Sequence, residues 1–318
     1  MKKNSLIEKK YLSMKIFKIC FLIFLFLFNI SCFSQETGNS VSSDSVSIYY
    51  RTYGKGKPLL IINGGPGMNS DGFEGLAKKL SKNNKTIIYD QRGTGKSVLK
   101  ISDSSTVNMK LMIDDIESIR KRLKIQKWSV LGHSFGGMVA SYYATLHPEN
   151  ITKIILSSSG GIDLDLLNYV PESIKSKLSK AQSDSLNYWT KKISEGDTSH
   201  YAALERGKIL ACAYVFNKKF IPVIGERLTQ GNMTINGLIF TDLQKIDFNC
   251  SEKLKTFKNP VLIIQGKQDI IKAVTAEKSH LAVKNSKVVY LDHCIHYGWL
   301  DNESVYFKEI NNFLSKGL

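Results

Sequence analysis

Short, mostly apolar runs separated by stretches of helical spacing recur along this chain, and that alternation restricts its fold more than any other feature. The runs are Pro58–Ile62, Thr86–Tyr89, Ser129–Leu131, Ile151–Leu156, Val261–Ile264 and Val288–Leu291. Each is too short for a stable helix, and each carries apolar side chains at consecutive positions, as a strand covered on both faces must. Val46–Thr52 alternates and is rich in β-branched and aromatic residues, which adds a seventh strand. Helical periodicity fills the gaps at Phe73–Leu80, Met109–Leu123, Phe135–Leu146, Ala273–Val283 and Val305–Leu314. Strand-helix repetition of this kind predicts βαβ units and a mainly parallel sheet flanked by helices, an α/β architecture. From about Gly160 to Asp247 the repetition lapses. Leu204, Ile209, Leu210 and Tyr214 follow helical spacing there, and no buried strand is evident, so this part reads as a helical cap inserted between two sheet strands. The expected division is 35–159 and 248–318 for the two parts of the core and 160–247 for the cap, with Ser40–Ser47 as a serine-rich lead-in. A chain of 318 residues can bury roughly 75% of its unfolded surface and needs neither a metal nor disulfides to hold a core.

Residues 1–34 read as an address. Lys2, Lys3, Lys9, Lys10, Lys15 and Lys18 precede the apolar run Ile19–Phe28, and Ser31-Cys32-Phe33-Ser34 follows with small residues at −3 and −1. That is the order of a signal peptide, with cleavage expected after Ser34 and export as the consequence. Met14 is an alternative start. An uncleaved membrane anchor and a lipid-modified Cys32 are the competing readings; the apolar run is short for a span, and Asn29 and Ile30 do not suit lipidation. Cleavage would leave Cys212, Cys250 and Cys294, an odd number, so one thiol at least stays unpaired within the chain.

The net charge of +16 falls to +11 beyond residue 34, because the first 34 residues hold six lysines and one acid. The remaining lysines are scattered, and no arginine-aromatic module accompanies them, so no nucleic-acid partner is expected. Membrane contact is expected only through the export signal. The expected partner is a small molecule or short peptide; the oligomeric state is left open.

The chemistry centres on Gly132-His133-Ser134-Phe135-Gly136. This G-x-S-x-G pentapeptide follows one apolar strand and opens a helix, the context in which a serine is presented on a sharp, strained turn. A serine hydroxyl is a poor nucleophile without a base and an orienting acid. Asp269 follows the strand Val261–Ile264, and His296 follows the strand Val288–Leu291, in the order Ser, Asp, His. His293 competes with His296 for the role of base. Side-chain-free backbone in Asn63-Gly64-Gly65-Pro66-Gly67 can approach a substrate closely, and amides of this loop and of Phe135 could converge on an oxyanion.

Taken together, Gly64-Gly65-Pro66-Gly67, Asp90-Gln91-Arg92-Gly93-Thr94-Gly95-Lys96-Ser97, the serine pentapeptide with Gly137, Asp269 and His296 resemble the α/β-hydrolase fold. More narrowly, they resemble its proline iminopeptidase branch, over roughly residues 46–157 and 255–317. The resemblance implies Ser134 as nucleophile, Asp269 as acid, His296 as general base, and the amides of Gly65 and Phe135 as the oxyanion hole. It implies no cofactor and no metal. The Asp90–Ser97 segment resembles a structural turn; despite its Gly-Lys-Ser ending, Asp90 stands where a phosphate-binding loop needs glycine. This chain departs from the branch at Asn63 (usually His), at Ile295 (usually Gly) and at Gly298 (usually Pro). Members of the branch hold the substrate's free amine with cap glutamates, one of them behind a Trp-x-x-Trp pattern. Tyr201–Glu205 keeps that spacing without tryptophan, which marks Glu205 and, second, Glu226. The activities to be separated are an exported aminopeptidase, an esterase or other small-molecule acyl hydrolase, and a silent binding protein on the same fold.

Overall fold

A computed structural model describes residues 35–316. The start-of-chain segment read above as a signal therefore lies outside the described residues. Eight strands form one sheet: β1 (Gln35–Val41), β2 (Ser47–Tyr53), β3 (Lys57–Ile62), β4 (Asn84–Tyr89), β5 (Trp128–His133), β6 (Ile151–Ser157), β7 (Val261–Gly266) and β8 (Ser286–Leu291). Their spatial order is β1-β2-β4-β3-β5-β6-β7-β8. The pairs β1–β2 and β2–β4 are antiparallel and all others parallel. Seven strands coincide with the six apolar runs and the alternating segment Val46–Thr52. The eighth, β1, is a correction to the serine-rich lead-in, since Ser40 and Val41 belong to it. It is mostly exposed and pairs only at the sheet edge, so it has no apolar pattern to betray it.

Successive residues of the central strands enter opposite cores, the period of two that a pleated strand imposes. Leu60, Ile62, Ile87, Val130, Ile154 and Ile263 face one core. Leu59, Ile61, Ile88, Leu131, Ile155 and Leu262 face the other. Helices α1 (Glu74–Leu80), α2 (Met109–Arg122) and α3 (Phe135–Leu146) connect the first strands, with α1 covering the second core and α2 and α3 the first. Between β6 and β7 the chain is helical. It contains α4 (Val170–Lys175), α5 (Lys180–Ser194), α6 (His200–Tyr214), α7 (Ile221–Leu228), α8 (Met233–Lys245) and the short α9 (Ser251–Leu254). Helices α10 (Ala273–Ala282), α11 (Gly298–Asp301) and α12 (Glu303–Ser315) complete the fold. No helix among the described residues is long and apolar enough to cross a membrane. Cys212, Cys250 and Cys294 are all free thiols.

The order of strands decides where chemistry can gather. β3 and β5 are neighbours, with Ile62 opposite Gly132. The segments leaving their carboxyl ends, Asn63–Gly67 and Ser134, are thereby side by side. β7 and β8 are also neighbours, with Gly266 opposite Leu291. Their exits carry Asp269 and His296 to the same edge of the sheet, where open α/β sheets place their crevices.

A polar thread ties β5, α2 and α3 together at the opposite end, where β5 begins. Trp128 Nε1 donates to Tyr143 Oη at 3.3 Å, and Tyr143 Oη donates to Glu117 Oε1 at 2.5 Å. Arg120 grips both oxygens of Glu117 at 2.8 and 2.7 Å. Burial acts to raise the Glu117 pKa, but the hydrogen bonds from Arg120 and Tyr143 outweigh it and hold the carboxyl at about 2, against an ordinary 4.5. A depressed carboxylate pKa stabilises the fold at pH above the unfolded value, and that contribution is lost as pH falls toward the folded one. The urea midpoint should therefore decline between pH 4.5 and about 2, and Glu117→Gln should flatten this part of the decline. An unchanged pH profile in the variant would count against the assignment.

Candidate active site

Ser134 sits alone between the last residue of β5 and the first of α3, with φ 55° and ψ −122°. A non-glycine residue is rarely found there, and such strain persists only where the surroundings enforce it. Here they do. The Ser134 amide donates to Ser157 O at 3.0 Å, and its carbonyl accepts from the amides of Gly137 and Gly160, each at 2.9 Å. With both backbone groups tied, the side chain is left to project from the turn. The pentapeptide glycines serve close approach: a Cβ at Gly132 would strike the Gly136 carbonyl, and one at Gly136 would strike that of Ile62.

The loop after β3 lies directly over the serine, so that a Cβ on Gly64 would come within 2.7 Å of Ser134 Cβ. Asn63, buried, donates from Nδ2 to Gly64 O at 3.2 Å and to Met68 O at 3.0 Å. Gln91 Nε2 donates to Asn63 O at 2.9 Å. Asp90 accepts from the Ser70 amide and hydroxyl at 3.0 and 2.7 Å and from the Lys96 amide at 2.9 Å. The Asp90–Ser97 turn is thus a brace for the loop. Among the described residues the amides of Gly65 and Phe135 donate to no acceptor. For Phe135 this is the expected condition of a first helical N–H.

Asp269 and His296 are joined directly. His296 Nδ1 donates to Asp269 Oδ1 at 2.8 Å, and the Ile271 amide donates to the same oxygen at 3.1 Å. The Asp269 side chain is inaccessible and that of His296 is 2% exposed. Because an ionised carboxylate can only accept, this bond puts the proton on Nδ1 and leaves Nε2 with its lone pair. The loop bearing His296 is fixed by two further contacts: its amide donates to Tyr214 O at 3.0 Å, and Asp301 accepts from the Ile295 amide at 2.9 Å. Ser134 Oγ makes no hydrogen bond to His296 in this structure. The imidazole packs instead against the ring of His133, the serine's neighbour, at 4.7 Å, and against Tyr214 at 5.4 Å. His133 itself is buried with neither nitrogen partnered. Burial, then the nearby His296 and Arg227, push its pKa well below the ordinary imidazole value, so it serves as a neutral packing ring. His293, the competing base, is exposed and lies against Phe216.

The helical segment brings its own charges. Glu205 pairs with Lys208 at 2.7 Å, and Glu226, exposed, faces His200 at 3.3 Å. Glu205 is nine residues before Tyr214 on α6; at ~100° per residue it occupies the face opposite the one that meets His296. Neither glutamate is hydrogen-bonded to the Ser134, Asp269 or His296 region among the described residues. Burial lowers the pKa of Arg206, whose Nε donates to Thr190 Oγ1 at 3.2 Å, and burial also lowers that of Lys177, opposed by the charge of Asp269. Burial raises the pKa of Tyr214. No group of three His, Cys, Asp or Glu among the described residues is placed to hold a metal ion. The sequence offered no sign of Arg227, whose contacts with the Gly64 loop depend on tertiary packing; an arginine in an amphipathic helix ordinarily reads as surface.

The family model described as alpha/beta hydrolase fold matches residues 57–303. The chain is 25% identical over 293 residues to a proline iminopeptidase of Clostridium botulinum, covering 84% of this chain and 94% of that one. It is 27% identical over 288 residues to a proline iminopeptidase of Saccharolobus solfataricus, covering 85% and 90%. Among solved structures it resembles an esterase from Rhodococcus sp. ECU1013, with a TM-score of 0.67 at 18% identity, covering 88% and 98%; at that identity the likeness concerns the fold. With the match spanning most of the described sheet and its helices, the chain belongs to the alpha/beta hydrolase fold family, and its curated relatives lie in the proline iminopeptidase branch.

Proposed function

We propose that this protein is an exported serine hydrolase that cleaves acyl bonds through an acyl-enzyme on Ser134. The observation carrying the reading is the buried Asp269–His296 hydrogen bond at the same sheet edge as a strained serine. Ser134 Oγ attacks the acyl carbon while His296 Nε2 takes its proton. Asp269 holds the Nδ1–H tautomer and stabilises the imidazolium. The amides of Gly65 and Phe135 hold the oxyanion of the tetrahedral intermediate. His296 then protonates the leaving group as the carbon–leaving-group bond breaks. In the second half it deprotonates a water, which attacks the acyl-serine and releases the acid with Ser134 restored. Ser134→Ala and His296→Gln should each lower kcat by at least about a thousandfold with the fold intact. Asp269→Asn should cost roughly 10³–10⁴-fold, because an amide can favour the wrong imidazole tautomer. Full turnover in purified Ser134→Ala would end the proposal.

The relatives support an aminopeptidase of the proline iminopeptidase type; on that reading the substrate is a short peptide and Glu205 and Glu226 are the cap glutamates for its α-ammonium. A specific observation favours the second reading, an esterase or other small-molecule acyl hydrolase. Glu205 is already engaged by Lys208 and Glu226 by His200, so each cap carboxylate has a basic side chain of this protein beside it in place of a substrate ammonium. Hydrolysis of proline p-nitroanilide, alanine p-nitroanilide and fatty-acyl p-nitrophenyl esters, compared side by side, separates them. The aminopeptidase reading expects prolyl anilide turnover and a raised KM in Glu205→Gln. Ester turnover alone, unchanged in that variant, selects the second.

Export belongs to the same proposal and rests on the basic and apolar start. Expression in a secreting host should yield a mature chain beginning at Gln35, read by N-terminal sequencing. A secreted chain that retains Lys15 and Lys18 would refute cleavage there.

A further inference from the structure

Arg227 lies in the last turn of α7 and is only 4% exposed. Among the described residues no carboxylate pairs with it. A guanidinium removed from water without a counter-charge is costly, so its remaining contacts must be strong or its place must serve something else. Those contacts converge on one loop. Nη2 donates to Gly64 O at 3.0 Å, Nη1 reaches Asn69 O at 3.4 Å, and the guanidinium lies over the Phe73 ring at 4.7 Å. Gly72 leaves it room, since a Cβ there would sit 2.5 Å from Nη1.

The Gly64 carbonyl and the Gly65 N–H are the two ends of one planar peptide group. Whatever fixes the carbonyl therefore fixes the direction of the amide on the other side. The carbonyls of this loop are all occupied. Asn63 O accepts from Gln91, Gly64 O from Arg227 and Asn63, and Gly65 O from the Met68 amide. Pro66 O accepts from Asn236 Nδ2 at 3.2 Å and Gly67 O from the Asn232 amide at 3.0 Å. Three of these donors, Arg227, Asn232 and Asn236, come from the helical segment between β6 and β7. Only Arg227 brings a charge to the peptide that carries the Gly65 amide.

We infer that Arg227 is a positioning residue for the oxyanion hole: from the cap helix it orients and polarises the Gly64–Gly65 peptide so that the Gly65 N–H faces Ser134. This inference rests on the serine hydrolase reading above. A charged donor on the carbonyl strengthens the dipole of the same amide, and chained hydrogen bonds reinforce one another in a low dielectric. The effect appears when an oxyanion forms, so it belongs to kcat and leaves substrate binding largely alone.

The test compares Arg227→Gln, Arg227→Lys and Ser134→Ala with the wild type. The substrate is p-nitrophenyl butyrate or proline p-nitroanilide, whichever the wild type hydrolyses faster. A fluorophosphonate probe, whose phosphoryl oxygen would occupy the same two-amide site, supplies a second readout. In Arg227→Gln, kcat should fall about tenfold or more while KM stays within about threefold, and the rate of phosphonylation should fall with kcat. Arg227→Lys, which keeps the charge and loses the fork, should lie between. If Arg227→Gln does not fold, Arg227→Lys carries the same comparison. Wild-type kcat and phosphonylation in these variants, or a loss confined to KM, would overturn the inference while an inactive Ser134→Ala leaves the hydrolase reading standing. Turnover by Ser134→Ala would sink both.

Discussion

The backbone strain at Ser134 is the constraint around which the rest is arranged. A serine at φ 55° is unfavourable in isolation, and here it is enforced by hydrogen bonds from both of its neighbours in space, β6 and the segment that follows it. The glycines on either side exist because strand, helix and the β3 loop pass too close for any side chain. The result is a hydroxyl presented at the start of a helix, beside a loop lined with amide groups. The hydroxyl gains its setting from the sheet and loses the freedom to settle elsewhere.

The helical segment between β6 and β7 is more than a cover. Tyr214 at the end of α6 accepts from the His296 amide, and Asp301 binds both Ile295 and the amides of Phe216 and Asn217 just beyond α6. At its other end Arg227, Asn232 and Asn236 hold the loop over the serine. Both the loop bearing His296 and the Gly64 loop are therefore tied to the helical segment, so its position and theirs are coupled.

Much of the fold was legible because a buried strand must be apolar at successive positions. The runs at Leu59–Ile62, Ile87–Tyr89 and Val261–Ile264 carry that requirement openly. β1 escaped because an exposed edge strand such as Gln35–Val41 needs no apolar face, and its pairing with β2 is a tertiary matter. The serine turn was legible for the same local reason as the strands: Gly132 and Gly136 mark crowding that no other residue tolerates. Glu205 was chosen by spacing within a pattern, and spacing carries no information about which face of α6 meets the sheet. Its partner Lys208 sits one turn away on the same surface.

Local rules alone determined the parallel sheet, the strained serine turn and the candidates Asp269 and His296, because each is written in residues adjacent along the chain. The tertiary structure decided what those candidates touch. It placed Asp269 Oδ1 against His296 Nδ1, left His293 in solvent, paired Glu205 with Lys208 and brought Arg227 to the Gly64 carbonyl. The physical reason is range. Strand burial and turn strain are short-range demands that a few residues must satisfy by themselves, whereas a hydrogen bond between residues 64 and 227 exists only once the fold has brought the loop after β3 and the helix α7 side by side.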